Sequence, residues 1–172
     1  MNGPFTTARD LVPDVPSRTV VTMTAVLLSF ALASLWAVAA VLDAPTSSYL
    51  LAWFGVVLAT IDLRHHRLPD ALTLPLGAGL LLLRFHGLGA AALAAVVFGG
   101  AHLAVRRWRP ALMGGGDVKL AFSLGAALPL PSLLPAAILA SAVTLAVAAL
   151  RRARAVPHGP GLLAATWALV TL

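Results

Sequence analysis

Long apolar runs alternate with short polar segments along the chain, and this pattern predicts membrane-spanning helices. The runs cover residues 19–42, 49–61, 70–85, 90–105, 118–128, 133–150 and 162–172. About 20 apolar residues in a helix cross a hydrocarbon core roughly 30 Å thick. Residues 118–128 are too few to span alone, because the prolines that follow break the run. We therefore predict an all-α bundle of six or seven transmembrane helices.

Composition agrees with this interpretation. The chain is 60% hydrophobic and 10% charged, whereas soluble domains carry about 25% charged residues. We expect residues 1–18 to form a polar cytoplasmic tail, followed by a retained signal-anchor helix, and residues 19–172 to form one transmembrane domain in the lipid bilayer. The absence of cysteine excludes disulfides, thiolate metal sites and cysteine nucleophiles.

The basic residues predict the orientation of the bundle. If the N-terminus is cytoplasmic, Arg84 is the one Lys or Arg, of 12 in total, that lies on the opposite side. Such a bias is the positive-inside pattern of membrane proteins. It accounts for the net charge of +6 without nucleic acid as a partner. It also puts Asp62, Asp70 and Asp117 together at the cytoplasmic face.

These three aspartates form the best candidate site, because ionisable groups at a membrane boundary are costly and tend to be functional. Asp62 ends a predicted helix, where the helix dipole disfavours negative charge. Asp70 follows Pro69 at a helix start, so an N-cap role is the simpler interpretation. Asp117 could also be a cap, but the preceding glycines 114–116 offer room for close backbone approach that a cap does not need.

Other chemistries fit less well. The glycines lack the phosphate-loop spacing G-x-x-x-x-G-K-[ST]. Adjacent His65 and His66 point apart on a helix, although His102 and His158 could approach them in three dimensions. We expect neither a metal nor a cofactor. Two aspartates that meet across a bundle can instead share one proton. The ionised one then activates water while the protonated one polarises a peptide carbonyl.

Three segments resemble bacterial type IV prepilin peptidases. "IDLRHHRLPDALTLPLGAGLLL" (61–82) resembles the segment around that family's first aspartate, and "GGGDVKLAFSLGA" (114–126) is similar to its G-x-G-D segment. "VPHGPGL" (156–162) looks like its P-x-G-P element. The matches occur in the family's order, so they are more specific than any one motif.

The resemblance implies a membrane aspartic endopeptidase of the bacterial inner membrane. It would remove the leader from prepilins or pilin-like proteins, which carry a basic leader and a hydrophobic helix, by cutting after a glycine on the cytoplasmic side. Asp62 and Asp117 would be the catalytic pair. Lys119 also follows the family pattern, and we infer from its position that it helps to hold or tune Asp117. The expected motif, substrate-approach and supporting residues are Gly114, Gly115, Gly116, Pro69, Asp70, Pro157, Gly159 and Pro160.

Two departures from the family and two alternatives remain. Without cysteine, the chain cannot carry the family's paired-cysteine metal site, so we expect peptidase activity without methylation. Arg64 stands two residues after Asp62, where several relatives carry an acidic residue, and could change leader preference.

The main alternative is a small transporter that uses the aspartates as a proton or cation path, which would favour carboxylates near the bilayer midplane. The other is an inactive scaffold for pilus or secretion assembly.

Overall fold

The structure, a computed structural model, describes residues 18–153 and 156–172. This part of the chain contains α-helices and short 3₁₀ turns but no β-strand. The helices are α1 (Arg18–Val41), α2 (Thr46–His65), α3 (Asp70–Leu83), α4 (Leu88–Trp108), α5 (Gly115–Gly125), α6 (Leu133–Arg151) and α7 (Gly159–Thr171). The predicted all-helical fold is confirmed.

Four helical segments in the described ranges are long and apolar enough to cross a bilayer. They are Val20–Val41, Thr46–His65, Phe85–Trp108 and Leu130–Arg151. Helices α3 and α7 are apolar but shorter, with 14 and 13 residues. Helix α5 has 11 residues, as the short apolar run indicated, and does not span by itself. The protein is thus a polytopic helical membrane protein.

Helices α5 and α7 occupy the interior of the bundle. Helix α5 packs against α3, α4 and α7, while α7 also packs against α2 and α6. Helix α1 contacts mainly α2 and leaves most of its surface exposed. The core between the inner helices is built from leucine and alanine, with Leu58, Leu120, Leu124 and Leu162 among its most buried members. This arrangement brings the end of α2 and the starts of α5 and α7 together.

Close contacts at glycines fix the two inner helices. A Cβ atom at Gly125 of α5 would lie 2.7 Å from the carbonyl oxygen of Ala94 in α4. A Cβ atom at Gly161 of α7 would lie 2.7 Å from the carbonyl oxygen of Ala140 in α6. Because a backbone atom cannot move aside as a side chain can, these positions have no room for a larger residue. The C-terminal end of α5 and the start of α7 are therefore held at defined positions against α4 and α6.

Two helix ends differ from the sequence prediction. Helix α2 continues to His65, so Asp62 lies in its last turn rather than at its end. His66 ends the helix with a left-handed backbone, φ 50°, and its N–H donates to the Asp62 carbonyl at 2.9 Å. Helix α1 begins at Arg18. The rest of the predicted tail, residues 1–17, lies outside the described residues.

Candidate active site

A polar cavity of about 300 Å³ lies where α2 ends and where α5 and α7 begin. It brings together Asp62 and Asp117, which are 55 positions apart in the sequence. The 108–114 loop and the 156–158 segment complete its wall. The lining residues are Asp62, His66, Pro110, Ala111, Leu112, Met113, Gly114, Asp117, Val156, Pro157 and His158. Two carboxyl groups that share one small cavity interact electrostatically.

Asp62 is buried without a partner for one of its oxygens. Its residue surface is 5% exposed, and Oδ2 has no hydrogen-bond partner within residues 18–153 and 156–172. Gly159 at the start of α7 lies directly against it, since a Cβ atom at that position would come 2.5 Å from Oδ2. A buried polar atom without a partner is costly in a folded protein. One oxygen of Asp62 is therefore left available for chemistry.

Asp117, unlike Asp62, has a hydrogen-bond donor for its Oδ2 atom. It is the third residue of α5, and its Oδ2 accepts a hydrogen bond from the Gly114 N–H at 3.2 Å. Asp117 thus caps α5 as well as lining the cavity. Because α5 does not span, this carboxyl lies outside the membrane-crossing helices. Burial raises its pKa above the usual value, while His158, the Gly114 N–H, His102 and Arg106 act in the opposite direction.

The three glycines before Asp117 have different neighbours. Gly114 lines the cavity. A Cβ atom at Gly115 would overlap the Arg106 guanidinium, and one at Gly116 would lie 2.9 Å from the Leu68 Cβ. Close approach is therefore needed, as expected, but at Gly115 and Gly116 the approaching groups belong to the protein itself. The expected approach of a substrate along these glycines stays a prediction.

Lys119 and Asp70 also differ from expectation. The Lys119 Nζ lies 2.6 Å from Asp70 Oδ2 and 2.8 Å from Oδ1, and both side chains are about half exposed. Pro69 is the N-cap of α3, and no side-chain capping bond is present there. The predictions that Asp70 caps α3 and that Lys119 holds Asp117 are wrong. Residues 117 and 119 are two apart on a helix and do not face each other.

One buried histidine, His102, and one half-buried histidine, His158, adjoin the carboxyl pair, and sequence reasoning left their position open. His158 is the N-cap of α7 and lines the cavity. His102 of α4 is 6% exposed, and its ring centroid lies 6.4 Å from that of His158. Burial lowers the pKa of His158, an effect that His102 reinforces and Asp117 opposes. Only His158 had a sequence signal, because it lies within the "VPHGPGL" segment.

The other histidines and Arg64 separate into near and distant groups. His65 and His66 are both exposed, but only His66 lines the cavity. Within the described ranges, no three His or Asp side chains are arranged to hold a metal ion. Arg64 does not line the cavity, and its Nη2 donates to Thr24 Oγ1 of α1 at 3.1 Å. An effect of Arg64 on the carboxyl pair would therefore have to act from outside the cavity wall.

A second, apolar cavity of about 220 Å³ lies between α1, α2 and α7. Two of its lining residues adjoin the polar site: Ala59 is three positions before Asp62, and Pro160 follows Gly159. The lining residues are Leu35, Leu51, Ala52, Gly55, Val56, Ala59, Pro160, Leu163, Ala164 and Trp167. The supporting residues predicted in the 156–162 segment therefore lie at both cavities, with Pro157 in the polar wall and Pro160 in the apolar one.

Fold and site together define a polytopic helical membrane protein with one buried and one half-buried aspartate at one end of the bundle. The chain matches the type IV leader peptidase family over residues 49–150, and it belongs to that family. The match includes both aspartates and all three glycines, but it ends before the histidine-containing 156–162 segment. The protein is accordingly a leader-peptidase-like protease, consistent with a peptidase-only form. No curated protein and no solved structure matches the chain.

Proposed function

We propose that this protein removes the leader peptide from type IV prepilins or pilin-like proteins, with Asp62 and Asp117 as its catalytic pair. One observation carries the assignment of the residues. Two carboxyl groups from distant segments share a 300 Å³ cavity at one end of the bundle, and one of them is buried with an unpartnered oxygen. Aspartic peptidases need two carboxyls within reach of one water molecule.

The chemistry follows from two carboxyl groups that hold a single proton. The ionised carboxylate removes a proton from water, and the water oxygen attacks the scissile carbonyl carbon. The protonated carboxyl donates to the carbonyl oxygen, which stabilises the negative charge that develops there. The tetrahedral intermediate then collapses, the C–N bond breaks, and the proton taken from water passes to the leaving amine. Each residue returns to its starting protonation state after the products leave.

The proposed substrate has a basic leader in the cytoplasm and an apolar helix in the membrane. The cavity lies at the end of the bundle that carries the arginines of the 64–67, 106–109 and 151–152 segments. By the positive-inside rule this end faces the cytoplasm. We therefore propose cleavage at the cytoplasmic face of the bacterial inner membrane, after a glycine that joins leader and helix.

Co-expression with a candidate prepilin tests this proposal. Leader removal is followed by gel shift, and the new N-terminus is identified by mass spectrometry. We expect Asp117→Asn to abolish processing while the protein still accumulates in the membrane. Asp43→Asn is the matched control. Asp43 is exposed and lies in the turn between α1 and α2, at the opposite end of the bundle from the cavity. Normal processing by Asp117→Asn would contradict the assignment of the pair.

The substrate specificity is tested separately in the same system. A prepilin whose last leader residue is changed from glycine to a bulky residue is expected to remain uncut. Cleavage at a different position, or cleavage of the altered prepilin at the normal rate, would overturn the proposed site of attack. Both outcomes are read from the mass of the processed subunit.

A further inference from the structure

The two carboxyl groups sit at opposite ends of helix dipoles. Asp62 lies in the last turn of α2, and Asp117 lies in the first turn of α5. The C-terminal end of a helix carries partial negative charge and disfavours an anion, whereas the N-terminal end favours one. The helix that carries each carboxyl therefore makes the pair unequal, although the start of α7 at Gly159 acts in the opposite direction on Asp62.

Side chains increase this inequality. Asp117 accepts the Gly114 N–H, and the Arg106 guanidinium lies against the adjacent Gly115. Asp62 Oδ2 has no hydrogen-bond partner among the described residues, and fewer groups favour its charged form: the Gly159 N–H and His66, against four such groups at Asp117. A buried carboxyl with fewer donors and cations around it is cheaper to keep neutral than one with more. The stabilised anion is therefore Asp117.

His158 is held in a fixed orientation beside Asp117. Its Nδ1 lies 2.9 Å from Thr144 Oγ1, and that hydroxyl donates to the Ala140 carbonyl at 2.8 Å. A hydroxyl has one hydrogen, so Thr144 must accept from His158, which puts the proton on Nδ1. The Nε2 atom has no hydrogen-bond partner in residues 18–153 and 156–172, and the ring lines the same cavity as Asp117.

We propose that His158 is a positioning residue whose imidazolium form, with protons on both Nδ1 and Nε2, keeps Asp117 ionised, so that Asp117 takes the proton from water and Asp62 carries the proton that polarises the substrate carbonyl. This inference rests on the proposed function and divides its two roles. The charged or titratable groups that face Asp117 are Asp62 from α2, His102 and Arg106 from α4, and His158 from the start of α7. Those that face His158 are Asp117 and His102.

The pH profile of cleavage tests the role of His158. Activity requires ionised Asp117, so it falls as the pH drops through the raised pKa of that group. Removing His158 removes a group that lowers this pKa, and the acidic limb should then move to higher pH. For His158→Gln we expect a shift of about half a unit to one unit, and so roughly a three- to tenfold loss of kcat/KM on the acidic side.

Two further variants separate this effect from a structural one. His65→Gln is the matched control, because His65 is exposed at the same end of the bundle, and its profile should not move. Thr144→Val removes the hydroxyl that orients the ring and should shift the limb in the same direction, but less. An unchanged acidic limb in active His158→Gln protein would overturn the role of His158.

Spectroscopy tests which aspartate carries the proton, even for inactive protein. The chain has six acidic residues, all aspartate, so selective ¹³C labelling of aspartate carboxyls gives few signals. Asp62→Asn and Asp117→Asn identify the two resonances in the wild-type spectrum. At neutral pH we expect the Asp62 signal at the shift of a protonated carboxyl and the Asp117 signal at that of a carboxylate. The reverse pattern would overturn the division of roles.

Failure of this inference is distinguishable from failure of the proposed function. If Asp62→Asn and Asp117→Asn both still process prepilin, the catalytic pair itself is wrong. If both are inactive while the carboxyl signals show the reverse pattern, the pair stands and only the division of roles is lost. The spectra need no substrate, so they give this answer before a prepilin is identified.

Discussion

Two regions on either side of the 66–69 turn place an aspartate at the same end of the bundle, with opposite results. At the end of α2, Asp62 is 5% exposed and has an oxygen without a described partner. At the start of α3, eight positions later, Asp70 is half exposed and paired with Lys119. The comparison teaches that position near a membrane boundary does not by itself make a carboxyl a functional candidate. The lack of a neutralising partner does.

The energies of the two environments differ in kind. An exposed ion pair such as Asp70–Lys119 contributes about 0.2–1 kcal/mol, because water screens it. It joins the start of α3 to α5 and is a minor stabilising contact. Burying an unpaired carboxyl costs several times that amount, and neighbouring packing must offset this cost. The burial of Asp62 is therefore unfavourable for folding, whereas the contact of Asp70 with Lys119 is mildly favourable.

The largest expected effect is the contrast between two matched substitutions. We expect Asp62→Asn to lower prepilin cleavage by at least about a thousandfold, since removal of one catalytic group disables the pair. Asp70→Asn should retain activity within about threefold. Rates of leader removal in membranes with equal protein content measure both. Equal losses in the two variants would erase the functional distinction between the regions.

A crowding substitution beside Asp62 is expected to have the next largest effect. A Cβ atom in Gly159→Ala would press on the Asp62 carboxyl, and a displacement of such a group by ångströms costs about ten- to a hundredfold in rate. Gly87→Ala is the control, because a Cβ atom there has no neighbour within 4 Å. Both variants are compared for kcat/KM and for the temperature of unfolding in detergent. Full activity in Gly159→Ala would argue that the carboxyl position is not critical.

Reversal of the exposed pair should have a small effect on stability. Asp70→Lys and Lys119→Asp each replace an attraction with a repulsion and should cost about 0.2–1 kcal/mol of unfolding free energy. The double variant Asp70→Lys with Lys119→Asp should recover most of that loss. Denaturant unfolding in detergent micelles gives the four values for the cycle. A double variant as unstable as the sum of both singles would show that the contact is not electrostatic.

The smallest expected effect is that of metal removal. A bound cation would give Asp62 the partner it lacks and would make the two regions alike. We expect chelation with EDTA, followed by dialysis, to leave the cleavage rate unchanged. Strong inhibition that added zinc or another divalent ion reverses would instead assign a metal to the cavity, with His66 and His158 as the nearest imidazoles.

The fold and the carboxyl pair were predictable from the sequence for physical reasons. Apolar runs predict helices because a bilayer leaves the backbone few other ways to satisfy its hydrogen bonds. The distribution of arginines indicated that Asp62 and Asp117 share one face, and both aspartates do lie at one end of the bundle. Their catalytic roles, and the orientation in the membrane, remain predictions.

The partners of individual side chains were less predictable. Lys119 follows the aspartate motif closely, yet it contacts Asp70, 49 positions away, because helix geometry turns it from Asp117. His102 lies in an ordinary apolar helix, and its approach to His158 depends on how α4, α6 and α7 pack. The crowding of Gly115 by Arg106 is likewise a tertiary contact. Local pattern carries no information about such pairings.

The proximity of the polar and apolar cavities has a consequence for inhibitor chemistry. Ala59 and Pro160 connect the wall of the 220 Å³ cavity to Asp62 and Gly159. A compound could join a hydroxyl-bearing mimic of the hydrated carbonyl to a compact alkyl or aryl tail. Its head would then bind in the polar cavity and its tail in the apolar one. The head would gain affinity from the acid pair and the tail from the surrounding leucines and tryptophan. Because its tail is apolar, partition of such a ligand into lipid would set its effective concentration beside the protein.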